Sequence, residues 1–308
     1  MAPRRFTAGL IGGLLRDATL LVEVTFTVRV APMTSADEGR ALRGAASVEP
    51  LGDGRYSATL STFYSVMGHP HGGYLQCVVA SAALAEASAQ GSTHIHVTAL
   101  TTNFINAPAL GAAELRVELR KIGRSVSFVY VSMYQGDELR LESLVTLGTL
   151  RDESSVRYQS APVVNLAPLE ASRQSTGSDD INIMRVLELR LDPATTGWWE
   201  GQLSSLGEVR GWLRLDDGEA SWDPWSLLFA ADALPPATMP LGSSGWVPTL
   251  QLTSYIRRVP RSEWLRARQW VIAIADGFVD ERCELFDAED QLVAASSQIA
   301  MVRLPGGN

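Results

Sequence analysis

Two polar residues in the C-terminal half occupy otherwise apolar segments and could act on a water molecule. Asp232 lies in the stretch Ala230-Ala-Asp-Ala-Leu234, where a carboxylate costs free energy unless it is paired or faces a cleft. A partly desolvated aspartate is a good general base, because burial raises its pKa. Gln298, on a predicted strand, offers a water both a donor and an acceptor. The alternatives are a solvated Asp232 just before Pro235-Pro236 and a Gln298 that points outward from a half-exposed strand.

The segment His69-Pro-His-Gly-Gly-Tyr-Leu75 joins two histidines to a glycine pair at the start of a predicted helix. Backbone amides at a helix N-terminus attract negative charge, so those around Gly72, Gly73 and Tyr74 could polarise a substrate carbonyl. One such donor contributes roughly 3–4 kcal/mol to a transition state. The glycines equally fit a tight loop into the helix. Either histidine could be a general base, although a loop histidine beside two glycines is more often structural.

The sequence lacks the motifs of several other kinds of enzyme and binding site. No serine elbow is present, because Gly242-Ser-Ser-Gly245 has the wrong spacing, and there is no phosphate-binding or dinucleotide fingerprint. His94 and His96 alternate on a predicted strand without a third ligand nearby, so we expect no metal. Cys77 and Cys283 lack the spacing of a metal or redox pair, which favours a reduced, cytoplasmic setting. The sequence therefore predicts no cofactor and argues against an α/β serine hydrolase.

The chain contains an internal repeat. Val97–Pro108 and Thr249–Pro260 both alternate like strands and end in proline, and they lie 152 residues apart. The same offset pairs the helical stretch Gly72–Leu84 with Pro224–Pro236. Each copy then continues into long strands with hairpin turns.

The order of elements predicts the fold class. The predicted strands are Ala46–Thr62, Glu114–Lys121, Val126–Tyr134 and Arg140–Leu150 in the first copy, and Met184–Gly201, Glu208–Leu215, Glu263–Ala275, Val279–Phe286 and Gln291–Leu304 in the second. A helix as apolar as Tyr74–Leu84 has to be covered by its own sheet. We expect an α+β fold of two tandem hotdog units, each a long helix wrapped by a curled antiparallel sheet.

Domain boundaries follow from composition. We expect an N-terminal extension over 1–32 outside the fold, an N-terminal hotdog over 33–150, a linker over 151–183 and a C-terminal hotdog over 184–308. The extension superficially resembles a secretory signal, but its apolar run is short and broken by Arg16-Asp17, and Met33 fits a natural first residue. No segment has the roughly 20 apolar residues of a membrane span. The net charge of −8 argues against a nucleic-acid partner.

With the repeat and the glycine pair in place, the sequence resembles the double-hotdog acyl-CoA thioesterases. In the first copy the likeness is carried by His71-Gly-Gly-Tyr-Leu75 and by Phe104–Pro108 followed by Gly123-Arg124-Ser125. In the second copy three stretches carry it: Ala230-Ala-Asp-Ala-Leu234, Pro248-Thr-Leu250 and Ser297-Gln-Ile-Ala-Met-Val-Arg303. Together these stretches give a likeness over residues 46–305.

The resemblance implies hydrolysis of acyl-CoA thioesters by an activated water, with the catalytic set Asp232, Thr249 and Gln298. The role of Thr249 rests on the resemblance, and Thr253 is a near alternative. Better-studied members have an aspartate and a histidine soon after the threonine, which this chain lacks, so substrate preference stays open.

The repeat register predicts one water-activating site per chain. In that register Asp232 corresponds to Ala80, Thr249 to Val97 and Gln298 to Thr146, so the full polar set occurs in one copy only. The tryptophans near the second helix, which are Trp222, Trp225 and Trp246, either line an acyl tunnel or belong to ordinary core.

Two other functions stay open. One is a non-catalytic acyl- or ligand-binding double hotdog. The other is an enoyl hydratase, which shares the fold and needs an Asp/His pair beside the helix, whereas the C-terminal half contains no histidine. In each case the expected partner is an acyl-CoA, and we expect homo-oligomers through sheet edges.

Overall fold

The computed structural model describes residues 40–151, 156–176, 180–218, 221–243 and 245–305. The predicted extension over 1–32 lies outside these residues. No helix in the described ranges is both long enough and apolar enough to cross a membrane.

Within the described ranges the chain forms three α-helices and fifteen strands, joined by short 3₁₀ turns. In chain order these are α1 (Leu42–Ala45), β1 (Glu49–Gly52), β2 (Arg55–Leu60), β3 (Ser65–Val66), β4 (His69–Pro70), α2 (Gly72–Ala89), β5 (His96–Phe104), β6 (Gly111–Ile122), β7 (Ser127–Gln135), β8 (Glu138–Gly148), β9 (Arg173–Gln174), β10 (Leu187–Leu191), β11 (Glu208–Leu215), α3 (Leu227–Ala230), β12 (Thr249–Ile256), β13 (Leu265–Ala275), β14 (Phe278–Phe286) and β15 (Leu292–Met301).

Thirteen of the described strands make one antiparallel sheet, in the order β1-β2-β6-β7-β8-β5-β12-β15-β14-β13-β11-β10-β9. Apart from the extra edge strand β9, the two halves have the same strand order when read inward: an antiparallel pair (β1-β2 or β10-β11), three long strands, and then a strand at the centre. The halves meet where β5 pairs with β12. Self-association through the outer edges, β1 and β9, stays a prediction.

The repeat detected in the sequence is present in the ladder. The central strand pair places Thr101 opposite Thr253, residues that are 152 positions apart. Both central strands also carry an irregularity at corresponding places, between Val97 and Ala99 in one half and between Thr249 and Gln251 in the other. A conserved bulge position shows that the two copies share backbone detail as well as strand order.

Helix α2 is the core of the first half. It packs against β5, β6, β7 and β8, and most of its residues are buried, including both polar and apolar ones. Gln76 is fully buried at the join between the halves, where its Nε2 donates to the Leu252 carbonyl (3.0 Å) and its Oε1 accepts from Ser254 Oγ (2.7 Å). Because a buried amide needs such partners, these bonds fix how the halves align.

The prediction of a long helix in the second half is wrong. Only the four residues of α3 are α-helical, although the sequence suggested Pro224–Pro236. The chain tightens to i→i−3 bonds at once, since the Asp232 amide donates to the Phe229 carbonyl (3.2 Å). Pro235 and Pro236 follow and cannot continue a helix, because each lacks the amide hydrogen.

Other boundaries differ locally. The predicted strand Ala46–Thr62 is a hairpin, because Gly52 to Gly54 adopt positive φ between β1 and β2. The predicted strand Met184–Gly201 ends at Leu191, just before a 3₁₀ turn at Pro193–Thr195. The predicted linker is not wholly irregular, since β9 pairs with β10.

Candidate active site

Asp232 lies where the two halves touch. It follows α3 in the second half, and its Oδ2 accepts a hydrogen bond from the Gly73 amide at the start of α2 (2.8 Å). Its side chain is only 13% exposed. The first two amides of a helix have no partner within the helix and favour negative charge, so this contact stabilises the carboxylate.

The glycine pair permits this close approach. A Cβ on Gly72 would lie 2.8 Å from Asp232 Oδ2, and a Cβ on Gly73 would lie 2.7 Å from the Leu228 carbonyl oxygen. Real side chains essentially never come so near. The glycines therefore let the turn that carries Asp232 pack directly on the N-terminus of α2.

The histidine before this pair is structural. His71 is the N-cap of α2, and its Nδ1 accepts from the Tyr74 amide (3.4 Å). Its Nε2 lies 2.9 Å from the backbone oxygen of Asp232 and 3.4 Å from Oδ2. Because a carbonyl oxygen only accepts, Nε2 carries the hydrogen and donates it. Both ring nitrogens are engaged, and His71 holds the Asp232 turn in place.

The predicted substrate-binding role of Gly72, Gly73 and Tyr74 stays a prediction. In the structure the Gly73 amide binds Asp232 and the Tyr74 amide binds His71. The Tyr74 side chain is fully buried and donates to the Ala45 carbonyl (2.6 Å).

Burial raises the pKa of the Asp232 carboxyl above its ordinary value, while His71 and the Gly73 amide oppose the rise. A carboxylate with a raised pKa binds a proton more strongly than an exposed one. Asp232 is therefore a stronger base than an exposed aspartate.

Thr249 and Gln298, predicted from sequence, are in direct contact. Thr249 Oγ1 donates to Gln298 Oε1 (3.0 Å) from neighbouring strands β12 and β15. The alternative residue Thr253 does not share this place, because its hydroxyl lies 3.1 Å from that of Thr101, on the central strand of the other half. The structure thus favours Thr249 over Thr253 as the partner of Gln298.

The turn that carries Asp232 rests on the strand that carries Gln298. Ser296 Oγ donates to the Ala231 carbonyl (2.6 Å), next to Asp232. Ser296 and Gln298 are two positions apart on β15, so their side chains point to the same face. Asp232 and the Thr249–Gln298 pair therefore belong to the same inner face of the second half.

A third polar group, Glu281, was missed at the sequence level. It lies on β14 opposite Gln298, is 1% exposed, and its Oε2 accepts from Gln298 Nε2 (2.5 Å) and Gln269 Nε2 (3.0 Å). Burial raises the pKa of Glu281, the Asp232 charge adds to the rise, and hydrogen bonds from Gln298, the Ala237 amide and Gln269 oppose it. Glu281 stands in the charged triplet Asp280-Glu281-Arg282, which gave no signal of burial.

The corresponding place in the other half is filled by a tryptophan. Gly73 corresponds to Trp225 by the offset of 152 residues seen at Thr101 and Thr253. The Trp225 indole donates to the Cys77 carbonyl (3.2 Å). The corresponding contact in the other half is the close approach of Gly73 to the Phe229 carbonyl, since Phe229 corresponds to Cys77.

The residues that would complete a second site are apolar. Trp225 faces a helix with Ala80 at the position of Asp232, and Val97 takes the position of Thr249. The described part of the chain therefore has the polar set on one side only.

The predicted register of the last strand is off by one residue. The ladders place Leu144 opposite Thr101 and Ser297 opposite Thr253. Gln298 therefore corresponds to Val145, not Thr146, because the second copy has one more residue between its central strand and its last strand. The counterpart of Gln298 is buried and apolar.

The three tryptophans considered from sequence have separate positions. Trp222 is buried in the core, and Trp225 is partly buried beneath Arg43. Trp246 is 43% exposed, and its ring centroid lies 4.8 Å from that of His69. Only Trp246 is exposed enough to meet a ligand.

Two surface depressions occur in the described part of the second half. One, of about 390 Å³, is lined by Trp198, Leu203, Pro240 and their neighbours. The other, of about 250 Å³, is lined by Gln251, Asp280 and Arg282 together with Glu281 and Gln298. Gln251, Asp280 and Arg282 alternate along their strands with residues of the inner face, so this second depression lies on the outer face of the sheet, behind Glu281 and Gln298.

Over the described residues, the fold and this site define a protein with two fused hotdog halves and a candidate site on one side of their join. Residues 62–150 match the acyl-CoA thioesterase N-terminal domain, and residues 164–302 match the acyl-CoA thioesterase C-terminal domain. The chain belongs to the acyl-CoA thioesterase family.

A relative and a solved structure each match most of this chain. An uncharacterized protein of Mycobacterium tuberculosis is 26% identical over 273 residues, covering 80% of this chain and 90% of its own. A Thermobifida fusca YX structure, provisionally named a thioesterase II, has a TM-score of 0.78 at 29% identity and covers 89% of this chain and 99% of that chain.

Two further structures share the fold at lower identity. A hot dog fold protein of unknown function from Alicyclobacillus acidocaldarius has a TM-score of 0.74 at 18% identity, covering 89% of this chain and all of that chain. An acyl-CoA thioesterase II of Mycobacterium marinum has a TM-score of 0.65 at 18% identity, covering 87% and 100%. The hotdog fold is thereby confirmed.

Proposed function

We propose that this protein hydrolyses acyl-CoA thioesters to a free acid and coenzyme A, with a water activated by Asp232, Thr249 and Gln298. The observation that carries the proposal is the position of Asp232, a buried carboxylate with a raised pKa at the N-terminus of α2. The polar pair Thr249–Gln298 on the adjoining strands supports it.

Asp232 is the general base. The Gly73 amide holds Oδ2, which leaves Oδ1 to accept a proton from the attacking water. The water oxygen then forms a bond to the acyl carbon while its proton passes to Asp232. General-base assistance of this kind contributes about 10²–10⁴-fold to a rate.

Thr249 and Gln298 orient the water. Thr249 uses its hydrogen in the bond to Gln298, so its oxygen can accept a hydrogen from water. The thioester carbonyl is polarised by the Gly72 amide at the start of α2, because the Gly73 and Tyr74 amides are bonded to Asp232 and His71. Collapse of the tetrahedral species breaks the carbon–sulfur bond, and the proton held by Asp232 passes to the leaving thiolate, which departs as coenzyme A.

A hydratase is the second candidate, because the structure supplies an Asp/His pair that the sequence did not suggest. His71 comes from the first half and lies 3.4 Å from Asp232 Oδ2. Its two nitrogens are already bonded to backbone groups, which argues against a role in proton transfer. Water addition to an enoyl-CoA is therefore the weaker of the two proposals.

The test is release of free thiol from a panel of acyl-CoAs of different chain length, with Asp232→Asn beside wild type. We expect thiol release from wild type and a loss of about 10²–10⁴-fold in kcat for the variant. Asp280→Asn changes an exposed aspartate on the outer face of β14, so it is the matched control and should keep full activity.

Each rival function has its own signature in this assay. Tight acyl-CoA binding with no thiol release by wild type would show a binding protein instead. With an enoyl-CoA as substrate, loss of the enoyl absorbance without release of thiol would show a hydratase.

A further inference from the structure

Glu281 is a buried carboxylate that the mechanism above does not use. It is 1% exposed in the middle of β14, and no side chain among the described residues donates to its Oε1. A buried carboxylate is costly, and an apolar residue of the same size is often no less stable. Stability alone therefore gives no reason for a glutamate here.

The other carboxylate oxygen of Glu281, Oε2, points towards the candidate site. Glu281 Oε2 accepts from Gln298 Nε2 (2.5 Å), and Gln298 Oε1 accepts from Thr249 Oγ1 (3.0 Å). The three side chains form a continuous chain of hydrogen bonds across strands β14, β15 and β12.

The direction of this chain is set at the Glu281 end. An ionised carboxylate only accepts hydrogen bonds, so Gln298 has to turn its NH₂ group towards Glu281. The amide oxygen then faces Thr249 and takes the hydroxyl hydrogen. What Thr249 has left is a lone pair, which can accept but not donate.

We propose that Glu281 is a positioning residue that fixes the orientation of the Gln298 amide and so makes Thr249 an acceptor towards the attacking water. This inference rests on the proposed hydrolysis. The water then donates one hydrogen to Thr249 and the other to Asp232, and its lone pair stays free to attack the acyl carbon. With the amide reversed, Thr249 would donate to the water, so one of the water's two lone pairs would be occupied and one of its hydrogens would lose its acceptor.

The decisive variants differ in whether they keep an acceptor at position 281. Glu281→Met has a similar length but cannot accept from Gln298, whereas Glu281→Gln keeps one accepting oxygen. We expect kcat to fall about 10- to 100-fold in E281M, as for a misplaced reacting group, with KM changed less than about threefold. E281Q should recover most of the rate, which separates amide orientation from a need for charge.

Two controls exclude a merely structural role. Gln269→Met removes the other donor to the same carboxylate and leaves the Gln298 bond in place, so it should keep kcat. In a Thr249→Val background, E281M should add less than about twofold, because both changes act through the same hydroxyl. Thermal melts check folding, and Glu281→Leu replaces E281M if that variant unfolds.

The outcomes are distinct. A wild type that releases no thiol overturns the proposed function and this inference with it. An active wild type with an equally active E281M overturns the role of Glu281 alone. Equal fold-losses for E281M with and without T249V, or for E281Q and E281M, also overturn it.

Discussion

Thr101 and Thr253 face each other across the central strand pair, with their hydroxyl oxygens 3.1 Å apart. They are also corresponding residues of the two copies. A residue can pair with its own counterpart only on a two-fold axis, so the approximate symmetry axis of the molecule passes between them. The candidate site lies off this axis on one side, and the tryptophan-filled place lies on the other.

The two threonines of β12 provide a matched pair of variants. Thr249→Val should lower kcat about 10- to 100-fold, because the water loses an acceptor and Gln298 loses its donor. Thr253→Val makes the same chemical change at the Thr101 contact and should leave kcat unchanged. Steady-state thiol release checks both. Equal losses in the two variants would contradict the assignment of Thr249.

The acid limb of the pH profile should report Asp232. Its pKa is raised by burial, and the base works only when ionised, so kcat is full above that raised pKa and falls as pH drops through it. The midpoint should lie above about 3.9, the value of an exposed aspartate. Measuring kcat against pH with a reagent that reads thiols in acid tests this. A midpoint at or below the exposed value would be inconsistent with a buried base.

The same shift has a consequence for stability. Because the folded-state pKa of Asp232 exceeds the unfolded one, the folded state binds more protons between them, and stability falls as pH rises through that window. Asp232→Asn removes this dependence. At pH 8 its Tm should be no lower than that of wild type, and the difference should shrink as pH falls. Thermal melts at several pH values measure the difference in Tm between the variant and wild type. A difference that is less favourable to the variant at pH 8 than at acid pH would contradict the raised pKa.

The glycine pair should not tolerate a methyl group. In Gly72→Ala the new Cβ would lie 2.8 Å from Asp232 Oδ2, so the carboxylate has to move and kcat should fall. Gly73→Ala meets two carbonyl oxygens of α3 and should cost about 1–3 kcal/mol of stability as well. Gly44→Ala, with open space around it, is the control. Urea unfolding and kcat measure the two effects, and a fully active G72A would show that Asp232 does not need this contact.

Removing the tryptophan should open a cavity without creating a site. Trp225→Ala is expected to cost about 3 kcal/mol of stability, the low end for a large aromatic, because the ring is partly exposed. Its kcat should match that of wild type, and a non-hydrolysable acyl-CoA analogue should still bind once per chain. Calorimetric titration gives the stoichiometry. Two bound analogues per chain would contradict a single site.

The repeat could be detected from the sequence, but the contacts between its two copies could not. The offset that aligns Thr101 with Thr253 could be found because both central strands keep the same alternation and the same closing proline. The contact between Asp232 and Gly73 joins residues 159 positions apart, and local periodicity contains no trace of it. Sequence analysis therefore identified both residues but did not predict that they touch.

The remaining errors have separate physical causes. Helix α3 was overestimated because an apolar segment predicts burial more reliably than it predicts helical length. Glu281 escaped notice because its burial depends on Gln298 and Gln269, which come from other strands. A side chain whose environment is supplied by distant segments cannot be recognised from its own neighbours.

Joining the two copies in one polypeptide has freed each from matching the other. In a symmetric assembly of identical chains, a tryptophan in place of Gly73 would close every site at once. Here the bulky ring at position 225 closes one place and leaves its counterpart open. Covalent fusion thus lets one of the two corresponding places become packed core while the other keeps its polar groups.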